Sequence, residues 1–159
     1  MVRPHPSHYA LYHSLPPNIK VIPKEGRMPD DKKELQLFYD TVYHSLATVG
    51  VNTSGMTNAI VAGKKCITVL CPEFNKTQQE TRHFKNLLES GALEIARSID
   101  DFPILIENTL RGQDPFVLKR EAFVKNFIRP RGYFIKAGEI AVREIEELVE
   151  RKRNSGWAQ

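Results

Sequence analysis

The chain has 159 residues, of which 41% are hydrophobic and 26% charged, a balance that is ordinary for a globular protein with one core. Its formal net charge of +4 is spread along the sequence without a nucleic-acid-binding motif, so we expect no nucleic-acid partner. No apolar run approaches the roughly 18 residues of a membrane span, which predicts a cytoplasmic protein or one peripheral to a membrane.

The first 26 residues predict two short strands joined by a helix. Residues 1–3 would end a strand, Ser7 would cap a helix that extends to Leu15, and residues 19–22 would form the next strand. Arg3 and His5 would then lie at the carboxyl end of the first strand. Because a doubly wound domain normally begins with a complete βα unit, we expect a chain that is truncated at its N-terminus.

The acidic pair Asp30 and Asp31 begins an amphipathic helix. Its apolar residues recur every three or four positions, at Leu35, Phe38, Tyr39, Val42, Tyr43 and Leu46. This helix leads directly into the central part of the chain.

Residues 46–70 predict a βαβ unit, with a strand over 46–51, a polar turn over 52–55, a helix over 56–62 and a strand over 66–70. Such a unit implies parallel strands, so the predicted fold class is α/β, a Rossmann-like parallel sheet with helices on both faces. The turn lies at the carboxyl end of a strand and at a helix N-terminus, where a phosphate group is favoured. Alternatively, Thr53 or Ser54 only caps the helix. Lys64 and Lys65 are expected to form a solvated loop pair.

The second half of the chain predicts further helices around one edge strand. Thr77 and Glu80 would form a capping box for a helix over 77–90, residues 93–96 would form the strand, and Ser98 would cap a helix with four inward apolar residues, Phe102, Leu105, Ile106 and Leu110. Another helix would follow Asp114 and carry Phe116, Phe123 and Phe127. The predicted division is a Rossmann-like domain over 1–136, an amphipathic helix over 137–153 that packs on it, and a frayed tail over 154–159.

Familiar catalytic patterns are absent from the sequence. Ser54 lies in no GxSxG motif, and the five histidines have no zinc-binding spacing, so we expect no metal site. His5 lies between two prolines and near Arg3, where its imidazole could donate to phosphate oxygens or steady a leaving group. The alternative is a turn histidine exposed to water. Cys66 and Cys71 are expected to be reduced thiols.

The order of these motifs resembles a known family. RPHP near the start, then NTSG with a short helix and GK before a strand, then TQQETRHFKNLLESGAL, is similar to the carboxyl-terminal, donor-binding half of GT-B-type glycosyltransferases. More narrowly, it resembles capsule-polysaccharide and CDP-glycerol glycerophosphotransferase-like enzymes, over nearly the whole chain. The resemblance implies transfer of a sugar or polyol phosphate from a nucleotide-activated donor to a cell-surface polysaccharide. It also implies a missing N-terminal domain as partner, and no cofactor.

The resemblance also assigns roles to residues of this sequence. Ser54 and Gly55, with Thr53 beside them, would hold the donor phosphates, and Arg3 and His5 would contact phosphate or the departing nucleotide, His5 as the catalytic residue.

The sequence departs from the family pattern in two places. Asn58 stands where many of these enzymes have a glutamate that binds ribose or sugar hydroxyls. After the GK pair, Lys65 and Cys66 replace the usual proline. Two other functions remain open: a UDP-N-acetylglucosamine 2-epimerase-like half-domain, and a catalytically silent nucleotide-binding or interaction domain.

Overall fold

A computed structural model describes residues 1–155 as an α/β chain in which helices alternate with three strands. The elements in chain order are α1 (Lys32–Tyr43), β1 (Ala47–Gly50), α2 (Ser54–Val61), β2 (Lys65–Val69), α3 (Asn75–Gln78), α4 (Arg82–Ser90), β3 (Glu94–Ala96), α5 (Phe102–Leu110), α6 (Val117–Phe123) and α7 (Ala137–Asn154). Short 3₁₀ helices cover Pro6–Tyr12 and Pro72–Phe74, and a π-helical turn covers Val124–Ile128.

The three strands form one open parallel sheet in the order β1-β2-β3. Thr48 pairs with Cys66, and Thr68 pairs with Ile95, so β2 is the central strand and is buried along its length. The predicted parallel sheet and its βαβ unit are therefore confirmed. Helix α2 begins two residues earlier than the sequence indicated, at Ser54.

Side chains alternate along each strand, so the sheet has two faces, and helices lie on both of them. On the first face, Cys66 belongs to a buried core with residues of α1, α2, α4 and α6, which are Val42, Met56, Ala59, Ile60, Phe84, Leu87 and Phe123. On the second face, α5 contacts β3. This second face is incompletely covered, since Val49 of β1 is exposed beside an open groove that is also lined by Ile106 and Leu110.

Lys65 corrects the expectation of a solvated lysine pair. It is the first residue of β2, is only 4% exposed, and forms an ion pair with Glu94 at 2.5 Å across the sheet. Its ammonium group also donates to the carbonyl oxygen of Gln113 at 3.0 Å. The pair lies at the start of the sheet, so it stabilises the fold at the end opposite the predicted ligand turn. Lys64 is partly exposed, and its ammonium group lies 5.0 Å from the ring centroid of Tyr43.

The first segment forms less regular structure than predicted. The two expected strands meet only at one parallel bridge between Val2 and Val21. The following helix is a 3₁₀ helix, and its cap is His5 rather than Ser7: the Nδ1 atom of His5 accepts from the backbone N–H of Ser7 at 3.2 Å.

The single helix predicted over residues 77–90 is wrong, because the chain breaks between α3 and α4. Gln78 turns inward at the end of α3, and Thr81 has extended backbone angles before α4 begins. The capping box does not form, since the Thr77 hydroxyl donates to the carbonyl of Phe74 at 3.0 Å, and Glu80 accepts from a side chain of α3.

A reciprocal set of side-chain bonds closes the turn that precedes α5. The Ser98 hydroxyl accepts from the backbone N–H of Asp101 at 3.3 Å, and the Asp101 carboxylate accepts from the N–H groups of Ser98 and Arg97, each at 3.1 Å. The inward orientation predicted for Leu110 is wrong: it is 70% exposed at the last position of α5, beside the open groove.

After α6 the described chain ends in the long helix α7, which forms where the sequence predicted a helix. None of its residues is buried, so in this structure its apolar face is exposed rather than packed on the sheet. Residues 156–159 of the predicted tail lie outside the described part, whereas Asn154 is the last residue of α7. Over residues 1–155 no helix combines the length and apolar character that crossing a bilayer requires.

Candidate functional site

The carboxyl ends of β1 and β2 are joined by one buried side chain, Gln78. Its amide nitrogen donates to the carbonyl oxygens of Val51 at 2.9 Å and Val69 at 2.8 Å, and its amide oxygen accepts from the N–H of Cys71 at 3.0 Å. Gln78 is 0% exposed, and the Thr68 hydroxyl donates to the same Val51 carbonyl at 3.1 Å. These bonds hold the turn that follows β1 in one position relative to β2.

This turn is the predicted phosphate site, and the structure assigns the cap to Thr53. The Thr53 hydroxyl accepts from the N–H of Gly55 at 3.3 Å, and its carbonyl accepts from the N–H of Met56 at 3.1 Å. Ser54 is the first residue of α2 and is exposed. Within residues 1–155 its hydroxyl makes no hydrogen bond to protein, so it remains available to a ligand beside the positive end of the helix dipole.

Gly55 has room for a side chain in the unliganded protein. A Cβ atom placed there would meet the Thr53 hydroxyl at 3.6 Å and the Phe38 ring at 3.9 Å, which are ordinary contact distances. Internal packing therefore does not require glycine at this position, and a requirement imposed by an approaching ligand can be tested separately.

Arg3 also lies beside the Phe38 ring. Its guanidinium carbon is 5.3 Å from the ring centroid, and the group donates to the Thr41 hydroxyl at 3.3 Å. Burial lowers the pKa of Arg3, and the charge of nearby Glu34 partly opposes that effect. Arg3 and Gly55 thus both lie near one aromatic ring, which brings the cation close to the start of α2.

Glu34 is a residue of this region that the sequence did not single out. It lies in the first turn of α1, where its backbone N–H donates to the Asp31 carboxylate at 2.8 Å. Its Oε2 atom is buried and has no hydrogen-bond partner among the described residues. A glutamate in a first turn usually indicates only compensation of the helix dipole, so no sequence signal marked it.

His5 is exposed, and its imidazole ring contacts residues of the 3₁₀ helix that follows it. Its Nδ1 accepts from Ser7, and its ring centroid lies 5.9 Å from that of His8. Because Nδ1 is an acceptor here, the neutral imidazole carries its proton on Nε2, which can donate to a ligand. Within residues 1–155 no hydrogen bond joins His5 to Ser54, so the predicted proximity of these two residues stays a prediction.

Asn58 lies one turn after Ser54 on α2 and therefore on the same helix face. It is partly buried. A ligand bound beside Ser54 could therefore reach Asn58 along this face of α2, which is compatible with the predicted contact to a ribose or sugar hydroxyl.

The fold defines a class: an α/β protein with an open, three-stranded parallel sheet, compatible with a Rossmann-like arrangement. Comparisons with protein-family models, with curated proteins and with solved structures find no match for this chain. Among residues 1–155, no three histidine, cysteine or carboxylate side chains are grouped so as to hold a metal ion. Function must therefore follow from the residues of the site themselves.

Proposed function

We propose that this chain is the donor-nucleotide-binding part of a transferase, which moves a sugar or polyol phosphate from a nucleotide-activated donor to a polysaccharide acceptor. One observation carries the proposal. The exposed Ser54 hydroxyl, which has no hydrogen-bond partner within residues 1–155, lies at the start of α2 and after the carboxyl end of β1, and the Arg3 guanidinium and the adjacent Gly55 both lie beside the Phe38 ring. Parallel α/β sheets bind their ligands at this end.

The electrostatics of this arrangement suit a diphosphate. The first N–H groups of α2 and its dipole favour negative charge, and Ser54 adds a neutral donor. Burial lowers the pKa of Arg3, the nearby Glu34 charge offsets this only in part, and the hydrogen bond that Arg3 makes goes to a neutral hydroxyl, so an anionic ligand would further stabilise its charged form.

The reaction needs stabilisation of a leaving group that gathers negative charge as its bond to the transferred group breaks. In our proposal, Arg3 and the α2 N-terminus hold the diphosphate before and during this step, because both carry positive charge there before the substrate binds. His5 would donate a hydrogen bond from Nε2 to a phosphate oxygen as negative charge develops there. The Asn58 amide would form a hydrogen bond with a ribose or sugar hydroxyl, either as donor or as acceptor.

The finer fold assignment, a GT-B half-domain whose partner half is missing, is part of the same proposal. Support for it comes from the uncovered second face of the sheet. An open groove of about 470 Å³ lies between β1, α1 and α5, and its mostly apolar lining includes Met1, Val49 and Leu110. A preceding domain that packed on this groove would bury these side chains. The acceptor site and any general base would lie elsewhere on that domain, near the carboxyl end of β1.

Calorimetric titration of CDP and UDP into the 159-residue chain tests the phosphate site. We expect Ser54→Ala to lower nucleotide affinity about ten- to a hundredfold, a loss of about 1.5–3 kcal/mol, because a hydrogen bond to a charged oxygen disappears. The melting temperature should stay near that of the unaltered chain, since the cap is Thr53. Ser155→Ala, which alters an exposed serine beyond α7, is the matched control and should bind normally.

Two further variants of the turn separate capping from binding. Thr53→Ala should lower the free energy of unfolding by about 1 kcal/mol through loss of the cap. Gly55→Ala should leave stability equal or higher, because its Cβ fits, yet should weaken binding if phosphate approaches the backbone there. Equal affinity of CDP for the unaltered chain, Ser54→Ala and Gly55→Ala would leave only a helix cap and would remove the donor site.

A further inference from the structure

Helix α7 presents an apolar stripe that nothing in the described chain covers. The stripe consists of Val142, Ile145, Leu148 and Val149, and each of these side chains is between 45% and 61% exposed. Their spacing of three and four places them along one side of a helix of 18 residues, which is about 27 Å long. Four such exposed residues on one side of a helix are typical of a surface that associates.

The charges beside the stripe are distributed unevenly along α7. Five glutamates and one arginine lie within residues 137–150, and the last turn is basic. The members of the acidic part are Glu139, Glu144, Glu146, Glu147 and Glu150, and those of the basic turn are Arg151, Lys152 and Arg153. A partner helix that matched this surface would therefore be basic where α7 is acidic, and acidic where α7 is basic.

An antiparallel second copy of α7 has this distribution. With the two-fold axis near the middle of the helix, Ile145 faces Leu148 of the copy, and the two stripes close on each other. The same alignment places Glu139 of each helix beside Arg153 of the copy, at one edge of the stripe. A parallel copy would instead set the glutamates against glutamates and the basic turns against each other.

The existing ion pair of Glu139 does not oppose such pairing. The ammonium nitrogen of Lys136 lies 3.6 Å from a carboxylate oxygen of Glu139, and both side chains are more than half exposed. Exposed pairs of this kind contribute little free energy, so their rearrangement costs little. One contact is unfavourable, because Glu146 would lie beside Glu146 of the copy near the axis.

We propose that the α7 stripe is a homodimer interface, closed by a second copy of this chain in antiparallel orientation. The interface lies on a different element from the nucleotide site and does not depend on the proposed function. A single pair of helices this short buries less surface than large obligate interfaces do, so the dimer should dissociate on dilution.

Sedimentation velocity and light scattering of the 159-residue chain, over a roughly hundredfold range of concentration, test the interface. We expect twice the chain mass at the upper end and monomer at the lower end. Leu148→Glu should raise the dissociation constant by at least about a hundredfold, since the charge enters the interface from both copies. Leu118→Glu is the matched control, the same change at an exposed leucine of α6, and should dimerise as the unaltered chain does.

Charge variants test the antiparallel orientation itself. Glu139→Arg and Arg153→Glu should each weaken the dimer about tenfold, and the double variant should recover most of that loss. Glu146→Gln should strengthen the dimer severalfold by removing the like-charge contact. Circular dichroism of each variant checks that α7 remains helical.

Three results would overturn the proposal. The first is a monomer at every concentration, as expected if α7 folds back on its own chain or binds a different protein. The second is equal dimerisation of Leu148→Glu and Leu118→Glu, which would place the interface elsewhere. The third is a double charge variant no stronger than the single ones, which would exclude the antiparallel alignment.

Discussion

Replacement of Gln78 by methionine tests the link between the fold and the candidate site. Methionine keeps the length of the side chain and removes its three hydrogen bonds. Val51 keeps a donor in the Thr68 hydroxyl. The part-buried N–H of Cys71 loses its partner, and the buried carbonyl of Val69 keeps only the weak thiol donor of Cys71, whose Sγ lies 3.7 Å away. At about 1–3 kcal/mol for each such group, the expected loss is about 2–6 kcal/mol.

That loss is a large fraction of the roughly 5–15 kcal/mol by which a domain of this size is usually stable. Urea unfolding followed by circular dichroism should show a clearly lower midpoint for Gln78→Met. The neighbouring Gln79→Met makes the same change at an exposed position, so its free energy of unfolding should stay within about 0.5 kcal/mol of that of the unaltered chain. Nucleotide affinity, measured well below the unfolding transition, should also fall for Gln78→Met, because the turn after β1 loses its attachment to β2. Equal midpoints for the two variants would refute the role assigned to Gln78.

Two other outcomes follow from buried ionisable groups. Lys65→Met should lower the free energy of unfolding by about 3–5 kcal/mol, because it leaves Glu94 buried without its partner, whereas Lys64→Met should change it little; denaturation midpoints that are equal for the two lysine variants would contradict this. Burial raises the pKa of the Cys66 thiol to about 12, so near pH 8 a thiol reagent should modify Cys71 first and Cys66 only after unfolding. Equal labelling rates of the two thiols in the folded protein would contradict this order of reaction. Since the folded protein holds the Cys66 proton more tightly than the unfolded chain does, the Cys66 contribution to stability should be lost as pH rises above about 9.

The elements that the sequence predicted correctly are those with local causes. The βαβ unit follows from two apolar runs around a polar turn, and α1 follows from its apolar periodicity and from Asp31, which caps it. Helix α7 has a regular amphipathic pattern, so its position was also evident from the residues. The polar turn at the start of α2 was found for the same reason, because a strand that ends before a capped helix has a recognisable order of residue types.

Burial and long-range pairing were decided only by the tertiary structure. A glycine followed by two lysines is typical of a loop, yet Lys65 is buried because it forms an ion pair with Glu94 of β3, which is level with Ile67 and lies on the same face. Gln78 looked like an ordinary helix residue, and its inward orientation depends on carbonyl groups of two strands that the chain brings together only on folding. The sequence by itself therefore determined where strands, helices and the candidate turn form, since propensity, periodicity and capping act over a few residues. The tertiary structure decided which polar side chains are buried and which apolar ones are exposed, because these depend on contacts between distant parts of the chain.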